Sequence, residues 1–405
     1  MGPFIETWWR IEWDCSCGKN QEEVVMKNAL AMIAEVTLDP YRYVARLKES
    51  KGKKVIGCFP MHIPEEIVHA AGLIPVVMWR SNEPVTWGHA HVPPYDCGIV
   101  RSFVDDAVKQ KLRFMDGMVF SVRQCLLVKE CPMIIERHVK PEYMRILYLP
   151  PIYPGDATRD FLLSDLESFK GSLEDFTGCR ITDESLRNSI EIYNKNRSLL
   201  EKIYQIRRER PEILKASEVM KIVWSSMLMP KEDHNELLTQ LIGELEGKSV
   251  ETKREKARVI PVGCLCMTPQ LDILDMIEDL GMMIPDDDLY VGSRYFANNV
   301  KLGGNPMEAL ADRYLTKTPV YPDMGTWDVH WGDGVIEKVK ENNAKGVISF
   351  LVKYCPPHIC YYPDFKNRMV EREVPEIMIE IEHEVTSLAG IKTRLQSFAE
   401  TMGGR

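Results

Sequence analysis

The feature that most constrains this chain is an internal repeat. KKVIGCFPMHIPEEIVHAAGLIPVV, from Lys53 to Val77, aligns with ARVIPVGCLCMTPQLDILDMIEDLGMMIP, from Ala257 to Pro285. DGMVFSVRQC aligns with KGVISFLVKYC, and the spans Gly117 to Cys125 and Gly346 to Cys355 differ by one residue. Each copy reads as an apolar run, a helical pattern and a second apolar run, which is the βαβ unit of a parallel sheet. The helical patterns open on Pro64 and Pro269 and close on Gly72 and Gly281, where proline and glycine suit helix starts and stops. A chain of 405 residues exceeds one ordinary core. Two similar lobes with a cleft between them are therefore expected.

Further strands are expected in MRILYLP, MMIPDDD and VPEIMIEIEH, and helices in CGIVRSFVDDAVKQKLRF, DFKNRMVEREV and SLAGIKTRLQSFAETM. The spacing divides the chain into an N-terminal helical extension at 1–52 and a first α/β lobe at 53–159. A helical connector follows at 160–256, then a second α/β lobe with a C-terminal helix at 257–405. The connector shows the 3.6 period and a capping signal at Thr182, and the polar run KSVETKREKAR, from Lys248 to Arg258, reads as a linker. The expected fold class is α/β, with two Rossmann-like parallel-sheet lobes related by a pseudo-repeat and additional helices.

Charge and cysteine content narrow the chemistry. The formal net charge is −9, so the chain carries no basic footprint for nucleic acid. Nowhere do some 18 apolar residues run uninterrupted, and the N-terminus lacks a basic stretch leading into an apolar one. No membrane is expected, and the expected location is the cytoplasm. Eleven cysteines and 21 methionines in a reducing compartment point to thiols, metal ligands or redox chemistry rather than disulfides.

In open parallel sheets ligands sit beyond the carboxyl ends of the strands. Cys125 and Cys355 each follow an apolar strand, and Cys97 opens a helical pattern after PPYD, where free N–H groups and the positive dipole end favour a thiolate. Three such thiolates can hold three irons of a 4Fe-4S cube and leave the fourth open. The competing reading is structural, since free cysteine is among the most buried residue types. Zinc is a rival through Cys355, His358 and Cys360, although no second paired motif accompanies them. Cys15 with Cys17 and Cys264 with Cys266 form CxC pairs, and Cys131 and Cys179 stand in unremarkable contexts. His89, His91 and Tyr295 are candidate proton donors. The carboxylates of PDDDLYVGSRYF read equally as a cap, and no GxxxxGK[ST] or GxGxxG signature marks a nucleotide site.

Taken together, GCFPMHIPEEIVHAAGLIP, YDCGIVRSF, DGMVFSVRQC, SSMLMPKEDHNELL, CLCMTPQLDILDMIEDLG, PDDDLYVGSRYF, GNPMEALADRY and VISFLVKYC resemble the 2-hydroxyacyl-CoA dehydratase and benzoyl-CoA reductase family, over about Lys53 to Met402. Within it the likeness is greatest to the smaller, C-type cluster-bearing subunit of ATP-dependent benzoyl-CoA reductase. The resemblance implies two flavodoxin-like lobes and a 4Fe-4S cluster on Cys97, Cys125 and Cys355 with one open iron. It also implies a homologous partner subunit with its own cluster, an ATP-hydrolysing activator that donates electrons, and an acyl-CoA substrate. The implied chemistry forms a ketyl-type radical anion on the thioester, leading either to a ring-reduced dienoyl-CoA or to loss of water. A non-catalytic electron-carrying or scaffold role is the alternative from another class. Three departures stand out: Leu126 and Leu127 follow Cys125 where many relatives have Asp, Pro60 stands where some have Cys, and no CPLIK run is present. A six-ligand arrangement drawing on Cys58, Cys264, Cys266 and Cys360 is thereby disfavoured.

Overall fold

The computed structural model describes residues 21–77, 83–122, 125, 127–150, 156–248, 256–264, 269–317, 330–384 and 387–403. Two parallel sheets form, one from each copy of the repeat. The first contains β1 (Val55–Phe59), β2 (Ile74–Val77), β3 (Gly117–Val122) and β4 (Tyr143–Tyr148), in the order β2-β1-β3-β4. The second contains β5 (Ala257–Gly263), β6 (Met282–Met283), β7 (Asp288–Leu289), β8 (Gly346–Val352) and β9 (Glu376–Ile381), ordered β6-β5-β8-β9 with β7 also on β5. Substituting β5 for β1, β6 for β2, β8 for β3 and β9 for β4 turns one order into the other. The architecture is thus α/β with two flavodoxin-like lobes. Strands β1, β3 and β8 are buried along their whole length, as uninterrupted apolar runs in parallel sheets should be.

Two elements differ from the sequence pattern. MMIPDDD, expected as one strand, is split into β6 and β7. Pro285 cannot donate to the ladder, and Asp286 and Asp287 turn their carboxylates onto the backbone N–H groups of Asp287 (2.7 Å) and Leu289 (2.9 Å). Pro356 and Pro357, just beyond β8, are the first two residues of helix Pro356–Glu371. Their fixed φ and missing N–H cost little at that position, so the helix begins before the pattern starting at Asp364 suggests.

Between the lobes run the helices Asp156–Thr177, Asp183–Glu209, Ala216–Leu228 and Lys231–Gly247, with Gln21–Leu38 packed on the last two. Thr182 caps Asp183–Glu209 by accepting from the Ser185 N–H at 3.1 Å. One apolar core runs through both sheets and these helices, and a smaller one covers a face of the second sheet beneath Trp331, Val335 and Phe365. Helix Gly98–Val108 of the first lobe meets the carboxyl end of β9. A Cβ on Gly98 would strike His383, Arg101 pairs with Glu382 at 2.9 Å, and the Val85 N–H donates to Glu384 at 2.8 Å.

Candidate functional site

That seam gathers the ends of the elements that carry thiols. Cys97 is the N-cap of helix Gly98–Val108 and is buried. Burial pushes its thiol up to about 12, with Cys125 and Asp96 adding to the effect and the N–H groups of Val100 and Ile99 opposing it. Cys125 is half-buried beyond the end of β3 and within electrostatic reach of Cys97. Cys355 is buried and is the N-cap of helix Pro356–Glu371. It follows β8, whose end pairs with β9 through the Lys353 N–H and the Ile381 carbonyl at 2.9 Å. The helix of Cys97 and the strand before Cys355 therefore both abut the carboxyl end of β9.

Two neighbours of these thiols escape sequence reasoning. Cys131 is fully buried at the start of helix Cys131–His138; burial raises its thiol and Cys97 and Cys125 add to the rise. Its CPM context looks like an ordinary helix start. Asp96 is 1% exposed, and neither of its carboxylate oxygens has a hydrogen-bond partner. Burial and Glu130 push its carboxyl up to about 6 against the pull of Arg101.

Among the described residues no three His, Cys, Asp or Glu side chains are arranged to hold a metal ion. Thiols drawn from separated elements are the donor type that a larger group would need. A cubane meets each thiolate at a different iron, so its sulfurs come from separated elements, and helix N-termini offer N–H groups to the sulfur charge. A buried carboxylate without a partner likewise fits a cationic metal beside it.

The remaining sequence candidates disperse. His89 is exposed on the turn Gly88–Ala90, and His91 is exposed with its ring edge-on to His138 at 4.9 Å. Cys58 is buried in β1, Cys264 is buried just after β5, and Cys179 and Cys360 are exposed. Cys15, Cys17 and Cys266 lie outside the described residues. His358 is fully buried, its ring 5.5 Å from that of Trp331, and burial and Arg294 hold its pKa down at about 3. With Cys360 exposed on the same helix, Cys355, His358 and Cys360 do not converge on a zinc ion.

Tyr295 stands elsewhere, in a buried polar junction where both lobes meet the helical segment. Lys231 donates to the Tyr295 hydroxyl at 2.7 Å, Tyr295 donates to Glu65 at 3.1 Å, and Lys231 lies 3.3 Å from Glu65. Glu66 pairs with Arg197, and Arg313 donates to the carbonyls of Asn298 (2.9 Å) and Ala297 (3.0 Å). These side chains line a cavity of about 20 Å³, room for roughly one water. Burial raises Glu65 and lowers Lys231 from their ordinary values, while the attraction between the two opposes both shifts. Such a triangle can hold a proton at any of three atoms. Lys231 and Tyr193 also wall a cavity of about 190 Å³ that reaches Lys51 and Lys53.

The three carboxylates of PDDDLYVGSRYF are taken up by protein partners. Asp286 pairs with Arg208 (2.9 Å) and Lys338 (3.3 Å), Asp287 accepts from Tyr204 (2.6 Å) and the Ser293 N–H (2.9 Å), and Asp288 accepts from Arg294 (2.5 Å) and Trp331 (2.9 Å). They fasten helices to β7.

A family model described as 2-hydroxyglutaryl-CoA dehydratase, D-component, matches residues 60–402. The chain belongs to this family. Its relatives include the β subunit of (R)-phenyllactyl-CoA dehydratase from Clostridium sporogenes, 28% identical over 91% of this chain and 97% of that one. A benzoyl-CoA reductase subunit from Thauera aromatica, the C component, is 29% identical over 86% and 91%. The β subunit of lactoyl-CoA dehydratase from Anaerotignum propionicum is 28% identical over 92% and 98%. These two dehydratase subunits and the reductase subunit all stand at 28–29% identity. Among the described residues no helix is long and apolar enough to cross a membrane.

Proposed function

We propose that the chain is the iron-sulfur subunit of a cytoplasmic enzyme that passes low-potential electrons to an aromatic acyl-CoA thioester, as in benzoyl-CoA reductase. It works beside a homologous cluster-bearing subunit and an ATP-hydrolysing activator. The observation that carries this reading is the placement of Cys97, Cys125 and Cys355 at carboxyl edges of two matching parallel sheets, two of them at helix N-termini. A 4Fe-4S cluster on these thiols, when bound, supplies one-electron transfer with one iron free of cysteine.

The chain's own residues supply protons. Ring reduction takes up two electrons and two protons, and loss of water requires a proton on the departing hydroxyl. The Lys231–Tyr295–Glu65 triangle holds exchangeable protons at Nζ, Oη and Oε2 beside a cavity of about 20 Å³. Burial brings the affinities of its carboxylate and ammonium toward each other, which is the condition for transfer in either direction. Lys231, whose ammonium burial makes more acidic, is assigned the donor, and Tyr295, whose phenol burial and Glu65 push well above its ordinary value, the hydroxyl that relays the proton.

Dehydration of a 2-hydroxyacyl-CoA is the second reading, favoured by the dehydratase β subunits that this chain matches over nearly their whole length. Electron balance separates the two. Reduction consumes two electrons per product, whereas dehydration is redox-neutral and returns its electron. Anaerobic iron and sulfide content of wild type, Cys97→Ala, Cys125→Ala and Cys355→Ala tests the cluster, and alanine variants with full iron refute the ligand set. Activator oxidation in stoichiometric proportion to benzoyl-CoA consumed supports the reductase; catalytic oxidation with a 2-hydroxyacyl-CoA supports the dehydratase.

A further inference from the structure

The unpartnered carboxylate beside Cys97 carries an inference that rests on the cluster reading above. Asp96 is 1% exposed and both its oxygens lack a hydrogen bond. Burying an ionised carboxylate without a partner costs several kcal/mol; Arg101, within electrostatic reach, offsets only part of that cost and makes no hydrogen bond to either oxygen. Arg101, one turn along the helix, directs a guanidinium nitrogen to Glu382 at 2.9 Å. The other groups within electrostatic reach are Glu130 and the thiols of Cys97 and Cys131, none of which is a cation. What suits an anion in this place is an electron-poor metal.

We propose that the Asp96 carboxylate is the fourth protein donor of the site formed by Cys97, Cys125 and Cys355, ligating the iron that the three thiolates leave open. Cys131 is the rival for that position. Its Sγ already donates to the Leu127 carbonyl at 3.9 Å, whereas the Asp96 oxygens meet no protein donor. A carboxylate oxygen is an acceptable donor to iron, and a fourth anionic ligand makes the cluster harder to reduce. A subunit that must hand electrons to a thioester at low potential needs that property, since ligand charge and neighbouring hydrogen bonds set cluster potentials.

The test uses the full-length protein purified anaerobically with its cluster, as wild type, D96N, D96C and C131A. Potentials come from redox titration followed by electron paramagnetic resonance, and the unique iron from Mössbauer spectra of ⁵⁷Fe-enriched protein. D96N is expected to raise the potential by about 59 mV or more, a tenfold change in the one-electron equilibrium, and to alter the unique-iron component. Mild ferricyanide is expected to strip that iron from D96N to a three-iron form at least about tenfold faster than from wild type, with D96C resisting because a thiolate replaces the carboxylate. C131A is expected to match wild type. Iron-loaded D96N with unchanged potential, spectrum and iron loss overturns the proposal, as does C131A showing the shifts expected of D96N. If D96N assembles no cluster, D96C decides: iron loss from D96C at least about tenfold faster than from wild type also overturns the proposal, since a thiolate placed at this position would then fail to hold the iron. An iron-free wild type removes the cysteine reading beneath the inference, a result distinct from the others.

Discussion

The two lobes share a strand order and end their third strand near a cysteine, yet they differ in what lies beyond the strands. The first lobe follows β1 with Glu65 and Glu66, buried and joined to Lys231, Tyr295 and Arg197, and contributes both Cys97 and Cys125. The second ends β5 on Gly263 and follows it with Cys264, uses its acidic stretch to fasten helices, and carries one of the proposed ligands, Cys355. The repeat therefore supplies a scaffold, and the chemistry lies in the loops and helix starts where the copies diverge.

Breaking the first lobe's charge pair should have the largest effect. Glu66 is 1% exposed and paired with Arg197, with a second buried arginine, Arg313, close enough to stabilise its charge. Glu66→Gln is expected to cost about 3–5 kcal/mol in denaturant unfolding, because buried cations lose their carboxylate. A loss below about 1 kcal/mol would show that the junction tolerates its cations without Glu66. The proton assignment comes next. Tyr295→Phe is expected to lower turnover by about 10² or more with iron content unchanged, and variants that lose turnover and iron together would mark the triangle as structural.

The strands were legible because β1, β3 and β8 are continuous apolar runs buried along their length. The placing of Cys97 at a helix start was legible from PPYDCG for the same kind of local reason. The polar junction was not. Glu65, Arg197, Lys231, Tyr295 and Arg313 come from five separate segments, and each of the four charged residues alone looks like a charge on a solvated face. The available signal was Lys231 directly after SSMLMP, a run whose residues from Ser225 to Met229 are all buried, where a solvated lysine is out of place. Asp96 was equally hidden, since its lack of a partner exists only once the chain is folded.

A sharper comparison comes from the glycines that open β3 and β8. A Cβ on Gly117 would lie 2.7 Å from Ile56 Cδ1 and 2.9 Å from Tyr143 Cβ. On Gly346 it would meet Met402 Cε, Phe398 Cζ at 2.9 Å and the Pro375 carbonyl at 3.0 Å. Tyr143 Cβ is fixed to β4, whereas Met402 and Phe398 are side-chain tips on the helix Ala389–Gly403 and can move. Gly117→Ala is expected to cost about 1–3 kcal/mol and Gly346→Ala less. Urea unfolding of both variants checks the order, and a larger loss at Gly346 would mean that the C-terminal helix is held more rigidly than its tips suggest.

The smallest effect near pH 7 concerns the position three residues beyond each strand-end cysteine, Val128 in the first lobe and His358 in the second. Both are buried, but His358 has neither ring nitrogen hydrogen-bonded and a pKa lowered to about 3 by burial and Arg294. An unfolded histidine titrates near about 6.5. The folded state therefore favours neutral imidazole, so its contribution is complete above about pH 6.5 and shrinks as the pH falls toward 3. The slope is up to about 1.4 kcal/mol per pH unit. His358→Leu gives the second lobe an apolar residue at this position, as the first already has, and removes the titrating group. Its stability near pH 7 is expected to stay within about 1 kcal/mol of wild type, since an apolar residue replaces an unpaired polar one. Between about pH 6.5 and pH 4 the variant is expected to lose less stability than wild type. Denaturant midpoints measured across that range give the answer: parallel curves would mean that protonation of His358 does not contribute to acid unfolding, and that its ring is accommodated as indifferently as the side chain of Val128.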